Sequence, residues 1–340
     1  MNKYEPNMRS AILVTGCSGF LGGRVAKYFG SHPQKYSVVA ASRQSRKKDE
    51  LVANNCDFRP GNLLDKEYCH NVTTGIDYVV HCAAMSSPWG NYDAFYQANV
   101  EVTRNILAAS ANNRVKKFVF ISTPSIYFNF QDRFLVKETD PLPTRLVNNY
   151  AATKLIAERY VLDRNGKDIN TLALRPRAII GAEDTVIFPR LLRAHHAGKL
   201  KIIGKGDNVC DLTCAANVIA AIACTFDAKD AAFGRAFNIT DGNPVILWQV
   251  INALLNTLQL APVTTRVPEK LAFMYAGLVE MKHKLFSVDS EPELTRYGLG
   301  ILSKSLTIDI TQATKHLGYV PVQTTMDGIA EFVKWYQTKN

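Results

Sequence analysis

The chain has 340 residues, 47% of them hydrophobic and 21% charged, an ordinary globular balance with enough material for a large core or two apposed ones. Its apolar runs break well short of the about 18 residues a membrane span needs, and the opening MNKYEPNMRS holds no signal-type apolar block, so a cytoplasmic protein is expected. The net charge of +10 comes without a long basic block or an aromatic–basic motif, and the seven cysteines show no C-x-x-C spacing. Nucleic acid, a disulfide framework and a metal site are therefore not expected.

In chain order, AILVTG reads as a first strand and FLGGRVAKYFG as the helix after it. YSVVAAS and DYVVHCAA are strand-like, and YQANVEVTRNILAASANN has helical spacing. KFVFIST is again a strand, NNYAATKLIAERYVLDRNG a helix and INTLALRP a strand. This alternation predicts an α/β fold, a doubly wound parallel sheet with helices on both faces, over residues 1–178. Beyond residue 178 the pattern loosens. FPRLLRAHHAG is helical, KLKIIGKGDN hairpin-like, CAANVIAAIACTF helical and RAFNITDG a short strand. LWQVINALLNTLQ, KLAFMYAGLVEMKHKLF and DGIAEFVKWYQ are helical. The expectation is a smaller C-terminal substrate domain from 179–213 and 243–340, with a segment near 214–242 returning to the main sheet.

TGCSGFLGG lies between the first strand and the first helix. Gly16, Gly19 and Gly22 let such a turn close and let its backbone approach a pyrophosphate at the helix N-terminus. Ser18, Phe20 and Leu21 belong to the same cofactor-binding turn. An acidic residue at the end of the second strand would read a free ribose 2′-hydroxyl. Here the strand ends in Ser42 and Arg43, with Arg46 close behind. Guanidinium groups suit a 2′-phosphate, so NADP is expected in preference to NAD; the bland alternative is that the RQSRKK cluster only solvates a loop. Asn62 and Leu63 in DFRPGNLLD are candidates to border the adenine. Ala83 and Ala84 in HCAAMSS are small enough for a cofactor to lie against.

Tyr150 and Lys154 stand four residues apart, on one face of a helix. A tyrosine hydroxyl is a poor acid at neutral pH, and a neighbouring ammonium is expected to lower its pKa, so that it can pass a proton to or from a substrate oxygen. Ser122, Thr123 and Ser125 at the end of the KFVFIST strand are candidates to orient that oxygen. His195 and His196 lack an acidic partner at ligand spacing and read as a helix face.

TGCSGFLG, DYVVHCAA, NVEVTRNIL with Asn99, ISTPSIY, YAATK and LRPRAIIG occur in this order. Together they resemble the extended short-chain dehydrogenase/reductase family, a Rossmann fold, over nearly the whole chain. The resemblance implies a catalytic set of Thr123, Tyr150 and Lys154, with the hydroxyl on Thr123 rather than Ser122 by its distance to Tyr127. It implies that Lys154 also holds the nicotinamide ribose, and that Asn99, Ser122, Pro176 and Ile179 join the cofactor site. Arg175-Pro176 falls where the family packs the nicotinamide. A homodimer is implied as well. ISTPSIYF, NITDGNPVILWQVINALL, EPELTRYG and TIDITQATKHLGYVP are most similar to the 3β-hydroxysteroid dehydrogenase branch, especially its bacterial 2-alkyl-3-oxoalkanoate reductases. These reduce a β-keto group with NADPH.

The expected function is therefore an NADP-dependent reduction of a ketone, or oxidation of a secondary alcohol, on an apolar substrate such as a β-keto acid or 3-ketosteroid. Alternatives are a nucleotide-sugar epimerase or dehydratase, whose diphosphate-gripping arginine is replaced here by Cys210, and a non-catalytic NADP-binding sensor or scaffold. LAFMYAGLVEM is a candidate lining for an acyl chain or sterol ring, with plain helix packing as its alternative. Arg177 and Arg190 are candidates to meet a substrate carboxylate. The basic charge and a greasy substrate allow peripheral membrane contact. Cys214-Ala215-Ala216-Asn217 departs from the Tyr-Val-Asp-Asn of relatives and puts local packing and the substrate mouth in question.

Overall fold

The computed structural model describes residues 9–286 and 291–339. Seven strands form the main sheet: β1 (Ser10–Thr15), β2 (Tyr36–Ser42), β3 (Cys56–Pro60), β4 (Tyr78–His81), β5 (Lys117–Ile121), β6 (Asn170–Pro176) and β7 (Ala236–Ile239). All pair in parallel, in the order β7-β6-β5-β4-β1-β2-β3. The helices that matter below are α1 (Phe20–Gly30), α2 (Val102–Asn112), α3 (Asn149–Leu162), α4 (Ala215–Phe226), α5 (Glu269–Leu285), α6 (Arg296–Ser303) and α7 (Thr325–Gln337).

The physical cause is legible in the strands. Ile12 to Val14 and Phe118 to Phe120 are fully buried runs, as a sheet covered on both faces requires. Ile12, Val14, Val25, Phe29 and Val38 pack on one face. Leu13, Val79, Ile106, Phe118 and Phe120 pack on the other. The strand order reverses between β1 and β4, which opens a crevice at their C-terminal ends where ligands of such sheets bind. β7 joins the edge with Ala236 opposite Ala173 and Ile239 opposite Pro176.

Three features differ from the sequence expectation. KLKIIGKGDN is not a hairpin: Ile202–Ile203 pairs in parallel with Arg266–Val267, a partner some sixty residues on that no local pattern announces. A four-stranded sheet forms from Val245–Ile246, Val209–Cys210, Leu306–Ile308 and Arg133–Val136, in that spatial order; its strands are too short to show a period. The helix expected over YQANVEVTRNILAASANN is interrupted, because Gln97–Glu101 forms a π turn between Tyr92–Tyr96 and α2. Such wide turns mark functional sites in many proteins, and this one holds Asn99 in the interior, 1% exposed.

The Cys214 departure is absorbed by packing. Cys214 N and Asn217 Nδ2 donate to Asp241 Oδ1 at 2.7 and 2.6 Å, and Asn217 Oδ1 accepts from Val322 N and Gln323 N. A Cβ on Gly328 of α7 would lie 2.7 Å from the Cys214 sulfur. The small thiol thus admits α7 at close range, and the segment braces two helices.

Candidate active site

The turn after β1 is built for close approach. Gly16 has φ +70°, and a Cβ there would stand 2.7 Å from Ala83 Cα and 2.8 Å from Ala83 N. A Cβ on Gly22 would stand 2.4 Å from Gly16 O. The turn closes through Gly19 N to Gly16 O at 2.9 Å, and no side chain caps α1. Its first N–H groups and dipole end are left for an anion. Ser18 and Phe20 are half-buried beside this turn, while Leu21 is turned into the core. Ala83 is partly exposed and Ala84 exposed. These residues fit a dinucleotide pyrophosphate.

At the end of β2, Ser42 Oγ donates to Ser18 Oγ at 2.6 Å, tying strand to turn. Arg43 and Arg46 are exposed, and Arg46 bonds Gln44. Lys47 is not merely solvating the loop: its Nζ meets Glu183 Oε2 at 2.6 Å and reaches Gly19 O at 3.4 Å. Lys27 pairs with the same Glu183. These two ammonium groups overcome the burial of Glu183 and hold its carboxyl below the ordinary range. Leu63 is buried, and Asn62 is exposed with its Oδ1 already accepting from Leu64 N at 3.1 Å. Asn62 therefore shapes its own turn, and only its amide N–H groups remain for an adenine edge.

Asn99 does not face a ligand with spare groups. Its Oδ1 accepts from Met85 N at 2.7 Å, and its Nδ2 donates to Met85 O at 3.2 Å and Thr153 Oγ1 at 3.0 Å. It fixes the loop after β4 against α3, a positioning role in place of the expected cofactor contact. Behind it, Thr103 Oγ1 donates to Asn99 O at 2.6 Å and so accepts from His81 Nε2 at 3.0 Å. His81 Nδ1 then accepts from Thr15 Oγ1 at 2.8 Å. His81 is a buried neutral imidazole, held down at about 3 by burial and then by the Lys154 charge.

Thr123, Tyr150 and Lys154 come together at the ends of β5 and α3. Thr123 caps the turn Pro124–Tyr127, accepting from Ser125 N at 3.2 Å. Its hydroxyl stands near enough to Tyr150 to act on the phenol's pKa. Asn148 caps α3 through Ala151 N at 2.8 Å, which sets Tyr150 at the helix start. Lys154 is 2% exposed, donates to Ile121 O at 2.5 Å and lies 3.9 Å from the Phe120 ring centroid. Ser122 is buried with its Oγ unpartnered among the described residues.

The pKa expectation for this group is reversed. Burial pushes the Tyr150 hydroxyl up to about 12, against the opposing influence of the nearby Thr123 hydroxyl, and Lys154 does not move it. Tyr150 still shows part of its surface, so it is crowded by protein yet reachable. Burial draws Lys154 down to about 7, and Glu158 one turn further on opposes the fall. The ammonium turns to the Ile121 carbonyl and the Phe120 ring, which is why it does little for the phenol.

Two participants carried no sequence signal. Tyr297 on α6 brings its hydroxyl to 3.0 Å from Ser125 Oγ, which in turn lies 3.0 Å from Thr123 Oγ1. A chain of hydroxyls thus runs from Tyr150 into the C-terminal part. Glu158 was hidden in an ordinary helical pattern. Its carboxylate binds Arg175 through Nε at 2.8 Å and Nη2 at 2.5 Å, and Arg175 Nη1 reaches the Tyr127 hydroxyl. Arg175 is therefore turned inward onto Glu158 and Tyr127; Pro176 is buried beside it and Ile179 half-buried. Arg190 pairs with Glu291 at the surface at 2.9 Å. Arg177 is 6% exposed, with its Nε unpartnered among the described residues. Of the apolar residues in LAFMYAGLVEM, Ala272, Phe273 and Ala276 join a core cluster, and Glu280 is buried as well. His195 bonds Ala261 O, as a helix-face residue.

Residues 12–240 match the NAD dependent epimerase/dehydratase family. Among curated relatives, the 2-alkyl-3-oxoalkanoate reductase of Shewanella oneidensis is 32% identical over 94% of this chain and 84% of its own length. The reductase of the same name from Stenotrophomonas maltophilia is 32% identical over 94% and 97%. The mouse sterol-4-alpha-carboxylate 3-dehydrogenase, decarboxylating, is 29% identical over 94% and 88%. Among solved structures, UDP-glucuronic acid 4-epimerase from Bacillus cereus in complex with NAD superposes with a TM-score of 0.73 at 21% identity, over 97% of this chain and 99% of that one. That likeness is one of fold.

Proposed function

The chain belongs to the NAD dependent epimerase/dehydratase family and is an NAD(P)-dependent oxidoreductase, and from that premise we propose that it uses NADPH to reduce the ketone of an apolar substrate such as a β-keto acid or a 3-ketosteroid. The observation that carries this reading is the placement of Thr123 beside Tyr150, with Lys154 buried one turn behind. A reduced nicotinamide, when bound, supplies the hydride. Tyr150, up at about 12, keeps its proton at neutral pH and is an acid ready for the carbonyl oxygen. Thr123 orients that oxygen by a second hydrogen bond. Lys154, one turn behind the tyrosine, holds the nicotinamide ribose through its ammonium, a role that needs its proton.

Support for NADPH comes from the end of β2, where Arg43 and Arg46 are exposed and no carboxylate stands. Support for a keto acid comes from Arg177, a buried guanidinium just past the C-terminal end of β6. Ser122 N donates to Leu174 O at 2.7 Å, so the segments carrying Thr123 and Arg177 leave the sheet side by side.

The test is NADPH consumption across long-chain 2-alkyl-3-keto acids, 3-ketosteroids, aromatic ketones and nucleotide sugars, with NADH as control and Tyr150→Phe in parallel. The expected result is ketone turnover that prefers NADPH and drops about 100-fold or more in Tyr150→Phe, with dinucleotide affinity retained. Turnover that survives Tyr150→Phe would refute the assignment of the acid, and turnover of nucleotide sugars alone would replace the substrate class.

A further inference from the structure

Helix α5 presents two unlike faces. Ala272, Ala276 and Glu280 point inward and are buried, and Phe273 packs edge-on against Phe130 with centroids 6.1 Å apart. The opposite face carries Leu271, Met274, Tyr275, Leu278, Met281 and Leu285, all 54–76% exposed. At 3.6 residues per turn these six fall within an arc of roughly 120°. Among the described residues no other helix carries as many exposed large apolar side chains, and stripes of this kind mark interaction surfaces.

The charges on α5 are sorted in the same way. Its two carboxylates are spent on the protein, Glu280 on Arg296 at 2.7 Å and Glu269 on Lys304 at 2.6 Å. Lys270 and Lys282 are exposed and have no carboxylate partner among the described residues. By the same helical spacing Lys282 falls inside the apolar arc, where its stem can lie along the apolar surface while its ammonium reaches a headgroup. An apolar stripe with one unpaired lysine at its edge, Lys270, and another within it, Lys282, suits a helix lying in an anionic membrane interface. A second copy of the chain fits less well, since face-to-face pairing would bring these lysines together on a chain of net charge +10.

We infer that the outer face of α5 docks the enzyme on an anionic lipid surface, with the active-site mouth held against the bilayer. The geometry gives docking a purpose. Phe273 leads through Phe130 and Phe128 to Tyr297 by ring contacts of 6.1, 5.3 and 6.0 Å, and Tyr297 touches Ser125 beside Thr123. His283 at the other end of α5 meets Trp89 of the loop after β4. The helix thus roofs the side from which an apolar substrate, as proposed above, would leave the lipid.

The test is flotation of the full chain with phosphatidylglycerol–phosphatidylcholine vesicles and with phosphatidylcholine alone, beside sedimentation without lipid. Binding to the anionic vesicles is expected, weakened at about 1 M salt where charges are screened within about 3 Å. Leu278→Glu and Met274→Asp should each lower partitioning by about 10-fold or more, while melting and NADPH turnover of a small water-soluble ketone stay unchanged. Flotation does not depend on turnover, so it stands or falls apart from the proposed reaction. Wild-type protein that stays with the lipid-free fraction, or Leu278→Glu that floats as well as wild type, overturns the inference. A dimer in sedimentation that Leu278→Glu dissociates, without flotation, reassigns the face to a second copy.

Discussion

Replacing Glu158 by glutamine leaves Arg175 as a buried cation without a counter-charge. The pair is 2% and 7% exposed at its side chains, with two hydrogen bonds of 2.8 and 2.5 Å, so solvent cannot take over. Breaking such a pair from one side costs about 3–5 kcal/mol. Unfolding entropy of about 2.1 cal/mol/K per residue gives a chain of this size about 0.7 kcal/mol/K, so Tm should fall by about 4–7 °C. Arg175→Met alone should cost a similar amount by stranding the carboxylate. The double variant Glu158→Leu with Arg175→Met should recover to within about 1–2 kcal/mol of wild type, because both desolvation penalties vanish together. The same change reaches the chemistry. Glu158 opposes the effect of burial on Lys154, so in Glu158→Gln the pH at which reduction declines should move lower. Thermal melts of the four proteins and their pH–rate profiles are the assay. A single-variant cost under about 1 kcal/mol, or a double variant as unstable as the two singles summed, would show that the pair does not act as a coupled buried unit.

Gly16→Ala should lower NADPH affinity by about 10-fold or more, since its Cβ would meet Ala83 at 2.7 Å in a left-handed conformation that itself costs about 1–2 kcal/mol; an unchanged Kd in a fluorescence titration would count against the close-approach argument. Reductive kcat/KM should fall as pH rises through about 7, where Lys154 loses its proton, while Tyr150 keeps its own up to about 12; a profile flat from about pH 6 to about pH 9 would contradict it. His81 lies at about 3 when folded and at the ordinary 6.5 when unfolded. Its contribution to stability is complete above about pH 6.5 and is lost as pH falls toward 3, at up to about 1.4 kcal/mol per pH unit; denaturant titrations of His81→Gln should lose that part of the slope, and an identical slope would refute it. Arg177→Ala should raise KM for a keto acid by about 10-fold or more and leave its methyl ester unaffected, as expected for one lost charge-assisted hydrogen bond; equal effects on acid and ester would remove Arg177 from the carboxylate.

The chain's own pattern determined the doubly wound sheet. Buried parallel strands must be apolar runs and the crossovers between them amphipathic helices, so the alternation from Ser10 to Pro176 is written locally. Glycine spacing likewise announced the turn at Gly16, because a missing Cβ is a property of the residue itself. Tertiary structure decided what depends on which groups meet. Arg175 was expected near a cofactor and turned inward, because Glu158 waits one strand–helix layer away. Asn99 was tied to Met85 and Thr153, and Arg190 met Glu291 at the surface. Lys154 was expected to lower the Tyr150 pKa, yet burial is the largest influence on both groups, and burial is a sum over neighbours that no spacing rule contains. Tyr297 reaches Ser125 across 172 residues of chain, and the six apolar residues of α5 look like core in sequence and lie outside in space. A periodic pattern says that a helix has an apolar face; only the packed chain says whether that face is already covered.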